Sequence, residues 1–252
     1  MANSFDRYAA SRQASLQNGK NLAHRFIEKP AMKALLPDLS GKRVLLIGCG
    51  TGEEAMILEE HGAKNIVGID TSDESIRLAA KAYPAHTFAP GDMHRLDFAN
   101  ATFDFVYSSL AVHYSQTPLK IYQEAFRVLK PGGIFQFSTG HPLRWASESI
   151  VINGEATQVM GFGLGTSGSP AHLYGDYSNF AEHEATLPNG QVEKVWIGPP
   201  SMHFSLLQEA GFTITHFSET KPTDELCDID EYYYNRCNRF PQFTVFVAKK
   251  AT

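Results

Sequence analysis

The sequence is poor in several features that would have fixed its class at once. It holds three cysteines, Cys49, Cys227 and Cys237. An odd number at those spacings builds neither a disulfide framework nor a zinc site, and points to the reduced thiols of a cytosolic protein. No apolar run approaches the ~20 residues of a membrane-spanning helix, and the opening MANSFDRYAASRQ lacks the basic-then-apolar order of a secretory leader. Positive charge is not in surplus: 22 Lys and Arg face 27 Asp and Glu, for a net charge of −5. No global field therefore gathers DNA, RNA or an anionic membrane. H-E-x-x-H and close histidine pairs are absent too, so no metal centre is expected.

What is present is a core of ordinary size, with 43% hydrophobic residues, and a length that suits one domain with an elaboration. Val44 to Ile47 is an apolar strand that runs into glycines, and Glu53 to His61 is a helix stopped by Gly62. Asn65 to Asp70 repeats the strand, and TSDESIRLAAKAYP the helix, with Thr71 or Ser72 as cap. His86 to Ala89 and Thr102 to Ser109 are the next strands. A helix over Pro118 to Lys130 ends at Pro131-Gly132-Gly133, and Ile134 to Ser138 is a fifth strand. Strand alternating with helix predicts a doubly wound, mostly parallel α/β sheet with right-handed crossovers.

From Gly140 to Pro200 the rhythm is lost. GFGLGTSGSP reads as a mobile glycine-rich stretch, and Asn189-Gly190 as a hairpin turn. An irregular insertion of that length reads as a lid or cap. Regular structure resumes with the helix SMHFSLLQEAGF and strands at Thr213 to Phe217 and Phe243 to Val247; Lys221 to Arg239 between them reads as a solvated loop with half-buried tyrosines in preference to a flank of the acceptor pocket or a dimer contact.

The chemistry centres on VLLIGCGTGEE, Val44 to Glu54. A glycine turn between strand and helix lets a ligand approach the backbone. No Gly-Lys-Ser or Gly-Lys-Thr follows, which excludes a P-loop, and G-x-G-x-G replaces the dinucleotide spacing G-x-G-x-x-G. Asp70 ends the second strand and can accept both hydroxyls of a ribose; Asp92, with Met93 beside it, ends the third. Two carboxylates at successive strand tips favour a cationic nucleoside over a pyrophosphate.

VLLIGCGTG, GID, GDMHRLDF, FDFVYSSLAVHY and RVLKPGGIFQFST together resemble, in order and separation, the class I S-adenosylmethionine-dependent methyltransferases. They look most like the small-molecule branch that includes ubiquinone- and menaquinone-biosynthesis-type enzymes. The resemblance implies a Rossmann-like seven-stranded sheet with an antiparallel last strand, S-adenosylmethionine as cofactor and a small-molecule methyl acceptor. Taken with the lost rhythm after Gly140, it divides the chain into an N-terminal helical segment over 1–40 that closes on the cofactor, a cofactor-binding core over 41–139, a substrate lid over 140–200 and the rest of the sheet over 201–252.

By the same resemblance Gly48, Cys49, Gly50 and Gly52 line the methionine part. Asp70 binds the ribose, Thr71 lies by the adenine, Asp92 accepts from its amino group and Met93 contacts its ring. Ser108, Ser109 and Leu110 follow on the other side, while Tyr8 and Arg12 of FDRYAASR either close over the cofactor or belong to an exposed amphipathic helix. Leu46 stands where the family often has an acid.

Acceptor-side residues are sought after the strand tips, where open α/β sheets bind ligands. His113 and His141 are each either a base or orienting group or a packed histidine. Tyr114 follows the fourth strand with His113, and Arg144 and Trp145 follow the fifth with His141; His172, Tyr174, Tyr177, His183, Trp196 and His203 of the insertion either suit a planar or heterocyclic acceptor or form the lid's own core. The competing readings are a nicotinamide-dependent oxidoreductase and a non-catalytic protein that keeps the cofactor site. A protein or RNA methyltransferase is disfavoured by the negative charge.

Overall fold

The computed structural model describes residues 4–17, 21–163, 172–187 and 189–252. Most of the glycine-rich run expected to be mobile, 164–171, lies outside them, as does the side chain of His172.

Seven strands form one sheet: β1 (Arg43–Ile47), β2 (Asn65–Asp70), β3 (Thr87–Pro90), β4 (Phe103–Ser108), β5 (Leu129–Gly140), β12 (Phe212–Glu219) and β13 (Phe243–Lys250). Their spatial order is β12-β13-β5-β4-β1-β2-β3. β1 to β5 pair in parallel, and β13 lies antiparallel between β5 and β12, as the resemblance implied. The order reverses between β1 and β4, and their C-terminal tips face the same opening. Between the strands lie α3 (Glu54–Glu60), α4 (Asp73–Ala82), α5 (Pro118–Val128) and α7 (Pro200–Glu209).

Both faces of the sheet are buried, and the strand alternation sorts side chains between them. Leu45 and Ile47 join Phe135, Phe137 and Phe246 beneath Ile121, Tyr122 and Ala125 of α5. Val44 and Leu46 join Phe105, Tyr107 and Val245 on the other face, against Leu58 and Met32. Leu46 therefore fills an apolar layer, where a carboxylate would have to be desolvated.

Ser72, rather than Thr71, caps α4, its hydroxyl accepting from the Ser75 N–H at 3.0 Å. β5 begins at Leu129 directly after α5, so Pro131-Gly132-Gly133 lies inside a strand whose pairing with β4 is interrupted at Phe103/Phe105. Most of 221–239, from Glu225 on, is helical rather than a loop. Two short helices, α8 (Glu225–Ile229) and α9 (Glu231–Arg239), form there, the second capped by Asp230, whose carboxylate accepts from the Tyr233 N–H at 2.8 Å. They hold together because Leu226, Cys237 and Phe243 pack with Phe26 and Ile27.

Ahead of the sheet come α1 (Ser4–Gln17), a wide π-helical turn at His24–Glu28 and α2 (Lys29–Lys33). After it come α6 (Pro142–Trp145) and three two-stranded ribbons: β6 (Glu148–Ile152) with β7 (Glu155–Val159), β8 (Gly161–Gly163) with β9 (His172–Tyr174), and β10 (Ala181–Thr186) with β11 (Val192–Ile197). The last is the hairpin marked by Asn189-Gly190, with Gly190 at φ +82°. Its Ala185, Val195 and Ile197 pack on Tyr114 and Trp145 at the strand tips.

Gly48 has φ +65° and its missing Cβ would collide with that of Ala111, whereas Gly41 has φ +71° and open space around it. Gly48→Ala should cost about 3 kcal/mol, strain and overlap combined, and Gly41→Ala about 1 kcal/mol from strain alone. Urea unfolding of both variants separates the two effects.

Candidate active site

The glycine loop turns tightly because Gly48, Gly50 and Gly52 all take positive φ, at +65°, +53° and +88°. Asp70, at the tip of β2, is bound into this turn. Its Oδ2 accepts the Gly50 N–H at 2.8 Å and its Oδ1 the Ser72 N–H at 2.9 Å. Both bonds come from backbone, so the remaining lone pairs stay available to hydroxyl donors. Cys49 points into the core with its thiol pushed well up by burial, so it can meet a ligand only through its backbone.

A cleft of about 210 Å³ lies along these tips. Of the residues expected at the cofactor, Arg12, Gly48, Asp70, Thr71, Asp92, Met93 and Leu110 line it, and Tyr114 of the acceptor group joins them. Asp92 is oriented by a chain that sequence reasoning missed. Its Oδ1 accepts the His94 N–H at 2.9 Å and lies 2.7 Å from the ring Nδ1, while Nε2 lies 2.6 Å from Ser115 Oγ. Burial would raise the Asp92 carboxyl, but the His94 contacts hold it below its usual range. The order Asp-His-Ser matches a hydrolase relay, yet Ser115 is buried and accepts the Thr117 N–H at 2.9 Å. The chain thus fixes the carboxylate rather than presenting a nucleophile.

The N-terminal helix roofs the cleft. Asp6 accepts from Ser72 Oγ at 2.7 Å and from the Glu74 N–H at 3.2 Å, favourable contacts for an acid at the start of α4. Phe5 meets the Tyr114 ring edge-on at 5.0 Å, and Gln191 Nε2 of the hairpin donates to Ser4 O at 3.0 Å. Tyr8 is buried beneath the helix. The Arg12 guanidinium lies against Gly50, where burial opposes its charge and Glu53 and Asp70 sustain it.

Behind the loop sits a second group absent from the sequence reading. Glu28 is fully buried and accepts from Ser109 Oγ at 2.9 Å and Ser138 Oγ at 2.5 Å; Ser138 Oγ in turn accepts the Leu110 N–H at 3.0 Å. This holds Leu110 at φ +50°, a backbone conformation costly for leucine. Glu54 lies alongside, with Tyr107 OH at 3.0 Å, His24 Nε2 at 3.4 Å and Lys29 Nζ at 3.4 Å. Burial raises the Glu28 carboxyl. It would raise Glu54 too, but His24, Lys29 and Tyr107 hold that one down to about 2. Ser108 is buried, its hydroxyl unbonded.

The acceptor-side residues divide. His113 is buried with an unbonded Nδ1, its ring 4.6 Å from that of Tyr114, and burial and the charge of Arg144 press it down to about 3. His141 has both ring nitrogens occupied: Nδ1 accepts the Leu143 N–H at 3.1 Å, which leaves the proton on Nε2, 3.1 Å from Glu219. His203 faces the core, 2.6 Å from Tyr122 OH. Arg144 lies over the Trp145 ring at 4.6 Å. Tyr177 is exposed beside His141. Tyr174 lies on β9, and Trp196 alternates away from the hairpin face that packs on Tyr114.

A family model described as a methyltransferase domain matches residues 45–137. A solved S-adenosylmethionine-dependent methyltransferase from Mesorhizobium loti is similar over 88% of this chain and 97% of its own, with TM-score 0.69 and 28% identity. Residues 45–137 thus carry a methyltransferase domain, and the chain has the fold of the S-adenosylmethionine-dependent methyltransferases. Malonyl-acyl-carrier-protein O-methyltransferase of Pectobacterium atrosepticum is 34% identical over 106 residues, 42% of each chain. Sterol 24-C-methyltransferase of Yarrowia lipolytica is 32% identical over 140 residues, 52% of this chain and 34% of that one. The chain thus spans less than half the length of these two relatives, and their names give different acceptors.

S-adenosylmethionine is the cofactor of the family, and this cleft fits it. Asp70 keeps free lone pairs for ribose hydroxyls, Asp92 is held ionised at the next tip, and the glycines leave the backbone open beneath Arg12. Among the described residues no helix is long and apolar enough to cross a membrane.

The buried carboxylates give a pH test. A folded-state value of about 2 for Glu54, against an ordinary 4.5, means that its stabilisation is complete above the ordinary value and is lost as pH falls towards the folded one. Glu54→Gln should therefore cost about 3 kcal/mol at neutral pH and much less in strong acid. Urea titrations of both proteins across that range measure the narrowing gap; Glu28, which is raised, titrates with the opposite sign.

Proposed function

We propose that this chain transfers a methyl group from S-adenosylmethionine to an O, N or C atom of a small, planar or heterocyclic molecule. The observation that carries the reading is Asp70, tied by both oxygens to the glycine loop and facing the same cleft as Asp92 and Tyr114. The bound cofactor supplies an electrophilic sulfonium methyl. Asp70 would hold the ribose, Asp92 with Thr71 and Met93 the adenine, and Arg12 the methionine carboxylate above Gly50. α1 and the β10–β11 hairpin would exclude water. In this reading 1–40 is the closing segment, 140–200 the acceptor cap, and 41–139 with 201–252 the core.

Catalysis then rests on proximity and orientation, which can supply on the order of 7 to 11 kcal/mol of a barrier. Tyr114 and Trp145, packed on one face of the hairpin, give the aromatic wall that favours a planar acceptor. His113 is uncharged at neutral pH, since its value is pressed down to about 3; it suits accepting a hydrogen bond from the acceptor better than storing its proton. His141 would orient, because its Nδ1 holds the first turn of α6 and thereby Arg144 and Trp145.

Asp70→Ala should weaken S-adenosylhomocysteine binding at least tenfold with the fold retained; calorimetry showing normal affinity would remove Asp70 from the ribose role. NAD serves as the control, since a melting-temperature gain with NAD alone would favour the oxidoreductase reading. His113→Ala should lower kcat with cofactor affinity unchanged, and methyl-transfer assays at wild-type rate would clear it. His141→Ala should lower melting temperature as well as turnover.

A further inference from the structure

Arg77 and Arg127 are bound by Glu74 and Glu124, but among the described residues no carboxylate pairs with Arg144 or Arg236. Instead each guanidinium lies on an aromatic ring: Arg144 over Trp145 at 4.6 Å and Phe243 at 5.5 Å, and Arg236 over Tyr233 at 4.7 Å. Both residues keep exposed surface; burial of part of the side chain does most to disfavour the charged form of Arg144, and the nearby charge of Arg236 adds to it. In a chain of net charge −5, two neighbouring cations without an acid between them form a local positive site. Stacking fixes the guanidinium planes, and although Arg236 also meets the Cys237 thiol, no acid among the described residues holds either N–H edge, an arrangement suited to bidentate contact with an oxyanion.

Its place matters as much as its charge. Phe243 and Tyr233 pack in the cluster that includes Leu110, which lines the cofactor cleft. Trp145 shares the hairpin face with Tyr114, also of the cleft. Beside Tyr114 lies His113, buried at 7% exposure with an Nδ1 that has no partner and near enough to Arg144 to feel its charge. Buried polar atoms left without partners are uncommon and call for a ligand or a solvent molecule.

We propose that Arg144 and Arg236 form an oxyanion subsite that binds a carboxylate or phosphate carried by the methyl acceptor, so that the acceptor is an acidic molecule. This rests on the methyltransferase reading for the meaning of the site, but not for its existence. The acid is held at the arginines while the ring or chain that bears it reaches past Tyr114 to the cofactor.

The test is calorimetric titration of the protein saturated with S-adenosylhomocysteine, using benzoate, phenyl phosphate and the uncharged benzamide. At least one anion should bind tenfold or more tightly than benzamide. Arg144→Met and Arg236→Met, which keep the aliphatic stems, should each erase that preference while S-adenosylhomocysteine affinity stays within twofold. Arg144→Lys should recover part of it, because charge returns without the planar fork. Equal binding of all three probes, a preference that survives both methionine variants, or no saturable anion binding would each overturn the subsite. The titrations are repeated without S-adenosylhomocysteine. Failure of that compound to bind wild-type protein counts against the methyltransferase reading, and the anion result then still decides the subsite.

Discussion

The Asp70 carboxylate joins two strand tips that would otherwise be independent. One oxygen takes the Gly50 N–H after β1 and the other the Ser72 N–H after β2, so the glycine loop and the start of α4 share a single anchor. Much else is referred to it. Ser72 caps α4 and also binds Asp6, which seats the N-terminal helix; that helix carries Arg12 to Gly50 and Phe5 to Tyr114. One side chain thus sets where the floor of the cleft lies, and its neighbours use the same point to set the roof.

Leu46 shows how an acid can be displaced without being lost. Its neighbour across the pair is Tyr107, whose hydroxyl meets Glu54, and the first turn of α3 thereby supplies a carboxylate close to the strand position where the family often has one. Glu28 adds another from the N-terminal segment. Buried acids are tolerable only with partners, and here His24, Lys29, Ser109, Ser138 and Tyr107 provide them. Through Ser138 the same group holds Leu110 in its left-handed conformation at the edge of the cleft.

The elements legible in the sequence were those whose cause is local. Strand alternation, glycine turns and the acids at strand tips announce themselves within a few residues, so β1, β2, Asp70 and Asp92 could be read directly. The Glu28 network could not, because its partners Ser109 and Ser138 lie 81 and 110 residues away. The α8–α9 pair escaped for a related reason: EYYYNRCNR has weak helical preference, and the helix depends on packing of Cys237 against Phe26, Ile27 and Phe243. Histidines were hardest of all. His113, His141 and His203 look alike in sequence, and only their surroundings separate an open ring nitrogen from a helix cap and a core contact.

The contacts of α1 reach steadily further along the chain. Asp6 meets Ser72 and Glu74, Phe5 meets Tyr114, and Ser4 meets Gln191, a separation of 187 residues. Contacts of high sequence separation are closed late, after the intervening chain has been ordered. During synthesis this helix leaves the ribosome before any of these partners, so it is among the last elements to find its seat and is fastened in the order in which its partners are made.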